Sequence, residues 1–133
     1  MIHWYQTVFG ATIQHENEFL AFMAFDDEHH RLVIFEDPET VDKPKNAAGI
    51  DHTGYGLASF ADLVMTYERL KAEGITPFLP LNHRFTTSLY YRDPDGNDVE
   101  LSVDNFPTKE ACNAFITGER MAEIGRPPIR LHV

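Results

Sequence analysis

Residues 51–74, DHTGYGLASFADLVMTYERLKAEG, contain the clearest structural signal of the chain. IDHTGYGLA, which begins one residue earlier, is a short apolar stretch typical of a strand. Ser59 is then placed to cap a helix, with Asp62 three residues on, and Gly74 ends the helical pattern. Between them runs an apolar stripe at helical spacing, which predicts one buried helix face. The stripe consists of Phe60, Leu63, Val64, Tyr67 and Leu70.

Three further strand signals follow this helix, in ITPFLPL, TTSLYYR and NDVELSV, and the DPDG turn between the last two predicts a hairpin. The first part of the chain repeats the order from the helix onward. A helix ends at Gly10, and ATIQHE, FLAFMAF and HRLVIFE are typical of strands. Aligning Gly10 with Gly74 also places Glu36 on Glu100. The duplication predicts an α+β fold of paired βαβββ modules, without the first strand of the first module.

The boundaries of these parts follow from composition. We expect a single domain in which module one covers residues 1–36 and module two covers 50–104. A linker rich in proline and charge, 37–49, separates them. In the tail, 105–133, Thr108 is placed to cap a C-terminal helix with Glu110 in its first turn, and the final RPPIRLHV is expected to be extended.

Composition excludes several classes of function. The 133 residues carry a net charge of -10, which repels phosphate backbones and argues against a nucleic-acid partner. No apolar run approaches the roughly 18–20 residues that a membrane span needs. Cys112 stands alone, so no internal disulfide can form. Together with the absence of a signal-peptide pattern, this predicts a cytoplasmic protein.

Strand alternation selects the side chains that can meet. In NDVELSV the valines and leucine share one face, while Glu100 and Ser102 share the other. In IDHTGYG, His52 shares a face with two glycines, which leave open space around it. An imidazole and a carboxylate on facing strands are half of a metal site, and a second histidine would complete the facial triad of non-haem Fe(II) oxygenases. Spacing alone also permits a plain strand histidine and a rim glutamate.

These residues resemble a known family. His52 in GIDHTGYGLAS and Glu100 in YYRDPDGNDVEL are similar to the second and third metal ligands of type I extradiol ring-cleaving dioxygenases, which belong to the vicinal-oxygen-chelate superfamily. The resemblance continues through WYQTVFGA, FDDEHHRLVIF, NHRFTTSLYYRDPDGN and VDNF, and so covers nearly the whole chain. The superfamily's fold, with glyoxalases among its members, is the paired βαβββ module. Small enzymes acting on catechol or 2,3-dihydroxybiphenyl are the most similar in pattern.

The resemblance implies an Fe(II)-dependent dioxygenase of aromatic degradation, with Mn(II) as a second metal option. Its substrates would be dioxygen and a catechol, whose ring opens beside the two hydroxyls. His30 matches a histidine on the oxygen side of the metal, His83 one that handles the substrate hydroxyl, and Tyr90 the catalytic tyrosine. Each also has a structural interpretation: a solvent-facing turn residue like His29, a loop histidine and a packing tyrosine. Phe106, Phe115 and the tail helix are candidates for the substrate-facing wall.

One ligand of the family pattern has no counterpart. Family members take a first histidine ligand from the strand before the first helix, and that strand would lie upstream of Met1. His3 falls inside the predicted helix and His15 on the strand after it. We therefore expect that the domain begins upstream of this sequence, and that this chain alone binds Fe(II) weakly or not at all. The unpaired sheet edge would favour a homo-oligomer.

Two other functions stay open at this stage. Glyoxalases and epimerases share the fold and place a ligand at the position of Glu36, so an isomerase could use Glu36, His52 and Glu100. Such an enzyme has no evident need for the additional histidines and tyrosine, and Glu36 is also simply the first residue of an acidic linker. The third class is a non-catalytic binding protein of the same fold.

Overall fold

The computed structural model describes residues 1–44, 47–122 and 129–131 of the chain. They group into two compact units. Unit 1 comprises Met1–Gly49 together with the turn Asp93–Gly96, and unit 2 comprises Ile50–Arg92 and Asn97–Val133. Unit 2 thus begins at the residue where the sequence predicts the start of module two.

Unit 1 contains one helix followed by an antiparallel meander in the order β1-β2-β3. This is the predicted order of elements, and Gly10 ends the helix in the left-handed conformation that glycine adopts without strain (φ 65°). Lys45 and Asn46 of the predicted linker lie outside the described residues. The elements are α1 (Ile2–Phe9), β1 (Thr12–Glu16), β2 (Leu20–Ala24) and β3 (Leu32–Phe35).

The core of unit 1 forms between α1 and one face of the meander. Tyr5, Ala11 and Met23 are buried at its centre, and Leu32 and Ile34 of β3 pack against them. The Tyr5 hydroxyl donates a hydrogen bond of 3.0 Å to Oδ2 of Asp93, which is itself buried. The DPDG turn is therefore fastened into this unit by a buried polar contact.

Unit 2 has the complete β-α-β-β-β order that the sequence predicts. Its sheet runs β4-β7-β6-β5-β8, with β4 and β7 parallel and the other pairs antiparallel. The helix α2 follows β4, leads into β5 and packs on β7. The elements are β4 (His52–Gly56), α2 (Phe60–Ala72), β5 (Leu79–Asn82), β6 (Thr86–Arg92), β7 (Asp98–Asp104), α3 (Lys109–Thr117), α4 (Glu119–Ala122) and β8 (Ile129–Arg130).

The predicted caps are present, but the apolar stripe of α2 is only partly buried. The Ser59 hydroxyl accepts a hydrogen bond from the Asp62 backbone N–H and donates one of 2.6 Å to its carboxylate. Leu63 and Leu70 are buried, whereas Phe60 is 60% exposed. Val64 is exposed as well, so the prediction of one continuous buried stripe is wrong. The helix contacts the sheet along a line narrower than its apolar face.

The tail forms the predicted helix. Thr108 caps α3 by accepting a hydrogen bond from the Ala111 N–H, and Glu110 lies in the first turn. The extended end is seen in β8, while residues 123–128 and 132–133 lie outside the described residues. Among the residues described, no helix is both long and apolar enough to cross a membrane.

For two buried tyrosines, substitution by phenylalanine should change the free energy of unfolding in opposite directions. The Tyr91 hydroxyl has no hydrogen-bond partner among the described residues, so Tyr91→Phe should raise the free energy of unfolding by about 1 kcal/mol. Tyr5→Phe removes a hydrogen bond to a buried carboxylate and should lower it by about 1.5–3 kcal/mol. Urea denaturation followed by circular dichroism measures both. A loss of stability in Tyr91→Phe would show that its hydroxyl has a partner in solution.

Candidate active site

Strand β7 separates an apolar face from a polar one. Val99, Leu101 and Val103 are buried, and this is the face that α2 covers. Glu100 therefore points to the opposite face, where its side chain is 13% exposed. Because β7 lies between β4 and β6, both neighbours place side chains beside this carboxylate.

His52 and Glu100 meet across the parallel β4–β7 pair. The register sets Gly54 beside Glu100, and His52 lies two residues earlier on the same face. Nε2 of His52 is 3.2 Å from Oε2 of Glu100. A Cβ at position 54 would lie only 3.1 Å from that oxygen, so glycine keeps the space beside the carboxylate open. The structure thus brings together the two residues that the resemblance marks as metal ligands.

Tyr90 and His83 extend this contact across β6. Tyr90 is paired with Glu100 in the sheet register, and its hydroxyl donates a 3.2 Å hydrogen bond to Oε1 of Glu100. Nε2 of His83 lies 2.9 Å from the same hydroxyl. A phenol has a single proton, and here it goes to Glu100, so Nε2 of His83 is the donor in its contact with Tyr90. Three of the predicted site residues therefore form one hydrogen-bonded chain.

Burial of the Tyr90 ring and a neighbouring negative charge keep its hydroxyl protonated. Desolvation of the ring, followed by the negative charge of Glu100, raises the pKa of Tyr90 far above its ordinary value. The phenol is consequently a hydrogen-bond donor throughout the physiological pH range. A group in this state can donate to a substrate oxygen but does not act as a base.

Asp51 lies at the other end of the hydrogen-bonded chain, and the sequence patterns did not predict it as a site residue. Its Oδ2 lies 2.7 Å from Nδ1 of His52, although the Asp51 side chain is 96% exposed. This hydrogen bond is the largest influence on the pKa of His52, which is raised; burial opposes the rise, and the charge of Glu100 adds to it. A carboxylate on the second ring nitrogen is the usual orienting partner of a metal-binding histidine. The signal was present in the sequence as an acidic neighbour of the proposed ligand.

Aromatic rings continue from His83 toward the tail helix. The ring of Phe85 lies 5.9 Å from that of His83 and 6.3 Å from that of Phe115 on α3. Phe106 lies 5.2 Å from Phe115. The predicted wall residues Phe106 and Phe115 therefore form one aromatic cluster, which Phe85 connects to His83.

His30 belongs to unit 1. Strand alternation along HRLVIFE predicts that its side chain shares a face with Leu32 and Ile34, and this prediction is wrong. Leu32 and Ile34 face the core below α1, whereas the His30 ring stacks on Phe22, at 5.1 Å, on the other face of the meander. The chain bends at Arg31, before β3 begins, so the alternation does not extend back to His30. His29, as expected, is exposed, although its ring contacts His30.

Glu36 also belongs to unit 1 and does not occupy a strand position equivalent to that of Glu100. β3 ends at Phe35, one residue earlier, and the backbone N–H of Glu36 donates to the carbonyl of Phe19. Its side chain is exposed and lines a small cavity with Glu16 and Glu18.

The donor chemistry of the site partly fits a divalent metal. His52 and Glu100 offer an imidazole nitrogen and a carboxylate oxygen, the ligand types that non-haem iron takes. Within the described ranges, no three His, Cys, Asp or Glu residues are grouped so that they could hold a metal ion. Within the described residues, the candidate metal ligands are therefore two neighbouring side chains, His52 and Glu100.

Comparison with known sequences identifies relatives over most of the chain. Residues 1–101 match the family model described as Glyoxalase/Bleomycin resistance protein/Dioxygenase superfamily. The chain is 44% identical to biphenyl-2,3-diol 1,2-dioxygenase 2 of Rhodococcus globerulus, covering 97% of the chain and 67% of that protein. It is 41% identical to biphenyl-2,3-diol 1,2-dioxygenase 3 of the same organism, covering 90% and 64%. The chain thus spans about two thirds of the length of these curated relatives, whose names confirm the predicted resemblance to extradiol dioxygenases.

A solved structure supports the fold independently. A glyoxalase/bleomycin resistance protein/dioxygenase from Alicyclobacillus acidocaldarius superposes with a TM-score of 0.57 at 16% identity, covering 80% of this chain and 84% of that one. The predicted fold class is confirmed. At this level of identity the likeness concerns the fold alone.

The Asp51–His52 contact predicts that the pKa of His52 in the metal-free protein depends on Asp51. Asp51→Asn removes the largest cause of the raised pKa of His52, so that pKa should fall. NMR titration of the imidazole resonances measures it, with Glu119→Gln, an exposed carboxylate on α4, as the control. Since protons and metal compete for an imidazole, the variant should also bind metal with a weaker dependence on pH. An unchanged pKa of His52 would mean that the contact does not form in solution.

Proposed function

Because this chain belongs to the Glyoxalase/Bleomycin resistance protein/Dioxygenase superfamily, we propose that it acts as an iron-dependent extradiol dioxygenase on catechol-type diols. The observation that carries the proposal is the hydrogen-bonded chain His83–Tyr90–Glu100–His52. It joins two metal-binding side chains to a proton-carrying pair on adjacent strands. A reaction in which a metal-bound diol must lose and regain protons needs both parts next to each other.

His52 and Glu100 would hold the metal, and Fe(II) is the ion we propose, with Mn(II) as the second option. When bound, the ion supplies the redox chemistry between a catechol and dioxygen and lowers the pKa of the diol hydroxyls. Substrate and water would supply further ligands. Gly54 keeps a Cβ away from Oε2 of Glu100, which leaves this oxygen accessible on the side of β4.

Tyr90 and His83 would handle the protons of the diol. The Tyr90 hydroxyl, kept protonated by its raised pKa, would donate a hydrogen bond to a substrate oxygen in place of its present bond to Glu100. His83 would accept a hydroxyl proton and return it, the role for which imidazole is suited near neutral pH. Its contact with Tyr90 orients the ring for this exchange. His30 stays a predicted oxygen-side residue.

The aromatic cluster of Phe85, Phe106 and Phe115 would bind the apolar part of the substrate. It begins beside His83, where the diol would be oriented, and consists of half-buried rings. Such rings favour flat aromatic groups through offset or edge contacts. A second ring attached to the diol, as in biphenyl-2,3-diol, is a group of this kind.

No observation favours the isomerase alternative. That function needs Glu36 as a ligand, but Glu36 follows the end of β3 in unit 1 and its side chain is exposed. The relatives above 40% identity carry dioxygenase names. A cytoplasmic location and a homo-oligomeric state stay predictions.

Loss of one carboxylate tests the function directly. With Fe(II) supplied in excess, because the two donors of this chain are expected to bind it weakly, the protein mixed with biphenyl-2,3-diol in air should consume oxygen and form a yellow ring-opened product. Glu100→Gln should abolish both, because it replaces a charged ligand by a weak neutral one. Glu68→Gln, which changes an exposed carboxylate on α2, should retain them. Turnover of a methylglyoxal–glutathione adduct without oxygen uptake would instead indicate an isomerase.

The aromatic cluster predicts a dependence on substrate size. Phe115→Ala should raise the KM for biphenyl-2,3-diol about tenfold or more, because the second ring loses apolar contacts. The KM for catechol, which lacks that ring, should change little. Ile116→Ala, at the neighbouring and 40% exposed position of α3, is the matched control. Equal effects on the two substrates would show that the cluster does not contact the second ring.

A further inference from the structure

We propose that Asn105 is a positioning residue for His83. It does so by holding the β5–β6 turn, residues 83–86, in the conformation that brings the His83 ring to Tyr90. The inference rests on the proposed function, since it assigns Asn105 a part in orienting the proton-transferring histidine. It concerns contacts within unit 2 only.

The turn has a backbone conformation that its sequence does not favour. Arg84 has a φ of 76°, the only positive φ of a non-glycine residue within the described part of the chain. Glycine, asparagine or aspartate normally occupies such a position in a tight hairpin, because a larger side chain is strained there. A strained turn keeps its shape only where surrounding contacts impose it. Because Arg84 directly follows His83, the contacts that hold the Arg84 backbone also fix the position of His83.

Asn105 provides those contacts from outside the hairpin. Its backbone N–H donates to the Phe85 carbonyl at 2.8 Å, and its side-chain Nδ2 donates to the Arg84 carbonyl at 3.1 Å. Nδ2 also lies 3.4 Å from Oδ1 of Asn82, which itself accepts the Arg84 N–H at 2.7 Å. Oδ1 of Asn105 accepts a hydrogen bond of 2.8 Å from the Thr87 hydroxyl. One exposed amide thus bonds to residues before, within and after the strained position.

The position of Asn105 links this turn to the proposed metal ligand. Asn105 directly follows β7, the strand that carries Glu100, and the β6–β7 pairing ends one residue earlier at Thr86 and Asp104. His83 lies across the hairpin from Thr86, to whose carbonyl its own N–H donates at 2.9 Å. Glu100, in the middle of β7, therefore contacts Tyr90. Asn105, directly after β7, holds the turn that carries His83. The 2.9 Å contact between His83 and Tyr90 depends on both.

The isosteric substitution Asn105→Asp tests the role of the side-chain donor. It keeps an acceptor for Thr87 but removes the N–H donated to Arg84, and it sets a carboxylate oxygen against Oδ1 of Asn82. We expect kcat to fall about 10- to 100-fold, the effect of displacing a proton-transferring group, while KM stays nearly unchanged. Asn113→Asp is the control, since it makes the same change of charge at an exposed position of α3.

A second substitution distinguishes positioning from a general effect on folding. Glycine adopts a positive φ without strain, so Arg84→Gly removes the need for an external anchor. In the Asn105→Asp background it should restore most of the lost kcat. A residue needed for the stability of the sheet would not be rescued by a change in the turn.

A measurement without metal or substrate makes the inference independent of the proposed activity. In the metal-free protein, the ring nitrogen resonances of His83, assigned with His83→Gln, report its hydrogen bond to Tyr90. They should shift in Asn105→Asp, return in the double variant and stay in place in Asn113→Asp. Unchanged His83 resonances in Asn105→Asp, or a shift that Arg84→Gly does not reverse, would overturn the inference. Absence of ring cleavage in the unsubstituted protein would refute the proposed function and leave this spectroscopic result to decide the positioning role.

Discussion

The alternation of side chains along β7 is the constraint on which unit 2 and its candidate site depend. Val99 and Leu101 bury their side chains toward α2, and Glu100 between them must point to the other face. A shift of one residue in register would expose the apolar set and bury the carboxylate without its partners. The force that stabilises the sheet, burial of apolar area, therefore also orients the charged group of the site.

Glu100 connects two kinds of chemistry because each of its oxygens has a different neighbour. Oε1 accepts the proton of Tyr90, and Oε2 lies against His52. Burial is the main cause of the raised pKa of Tyr90 and the Asp51 hydrogen bond that of His52, and the charge of Glu100 adds to both, keeping the phenol protonated and favouring the charged imidazole. A cation between Glu100 and His52 would reverse the second effect while leaving Tyr90 free to donate to a substrate. In the proposed function, this coupling would let one short strand contribute to both metal binding and proton transfer.

Local signals account for the parts of the fold that the sequence predicted. Ser59, Thr108, Gly10 and the DPDG turn act through contacts within a few residues, and each forms as expected. The predictions were wrong at positions whose burial or orientation depends on tertiary contacts. The outer edge of the α2 stripe at Phe60 stays exposed because the sheet contacts only part of the helix. His30 takes the face opposite to that expected because a bend interrupts the alternation that the sequence pattern assumes.

By itself, the sequence determined the order of elements, the polar face of β7 and the residues that resemble a dioxygenase site. Helix periodicity, strand alternation and capping are all properties of neighbouring residues, so they can be read without coordinates. Only the tertiary structure decided which of those residues touch, and it added Asp51 and Asn105. Asn105 reaches a turn some twenty residues earlier in the chain because strand pairing closes that distance. A strained arginine turn and a distant amide that holds it have no local signature, since each depends on the register of the whole sheet.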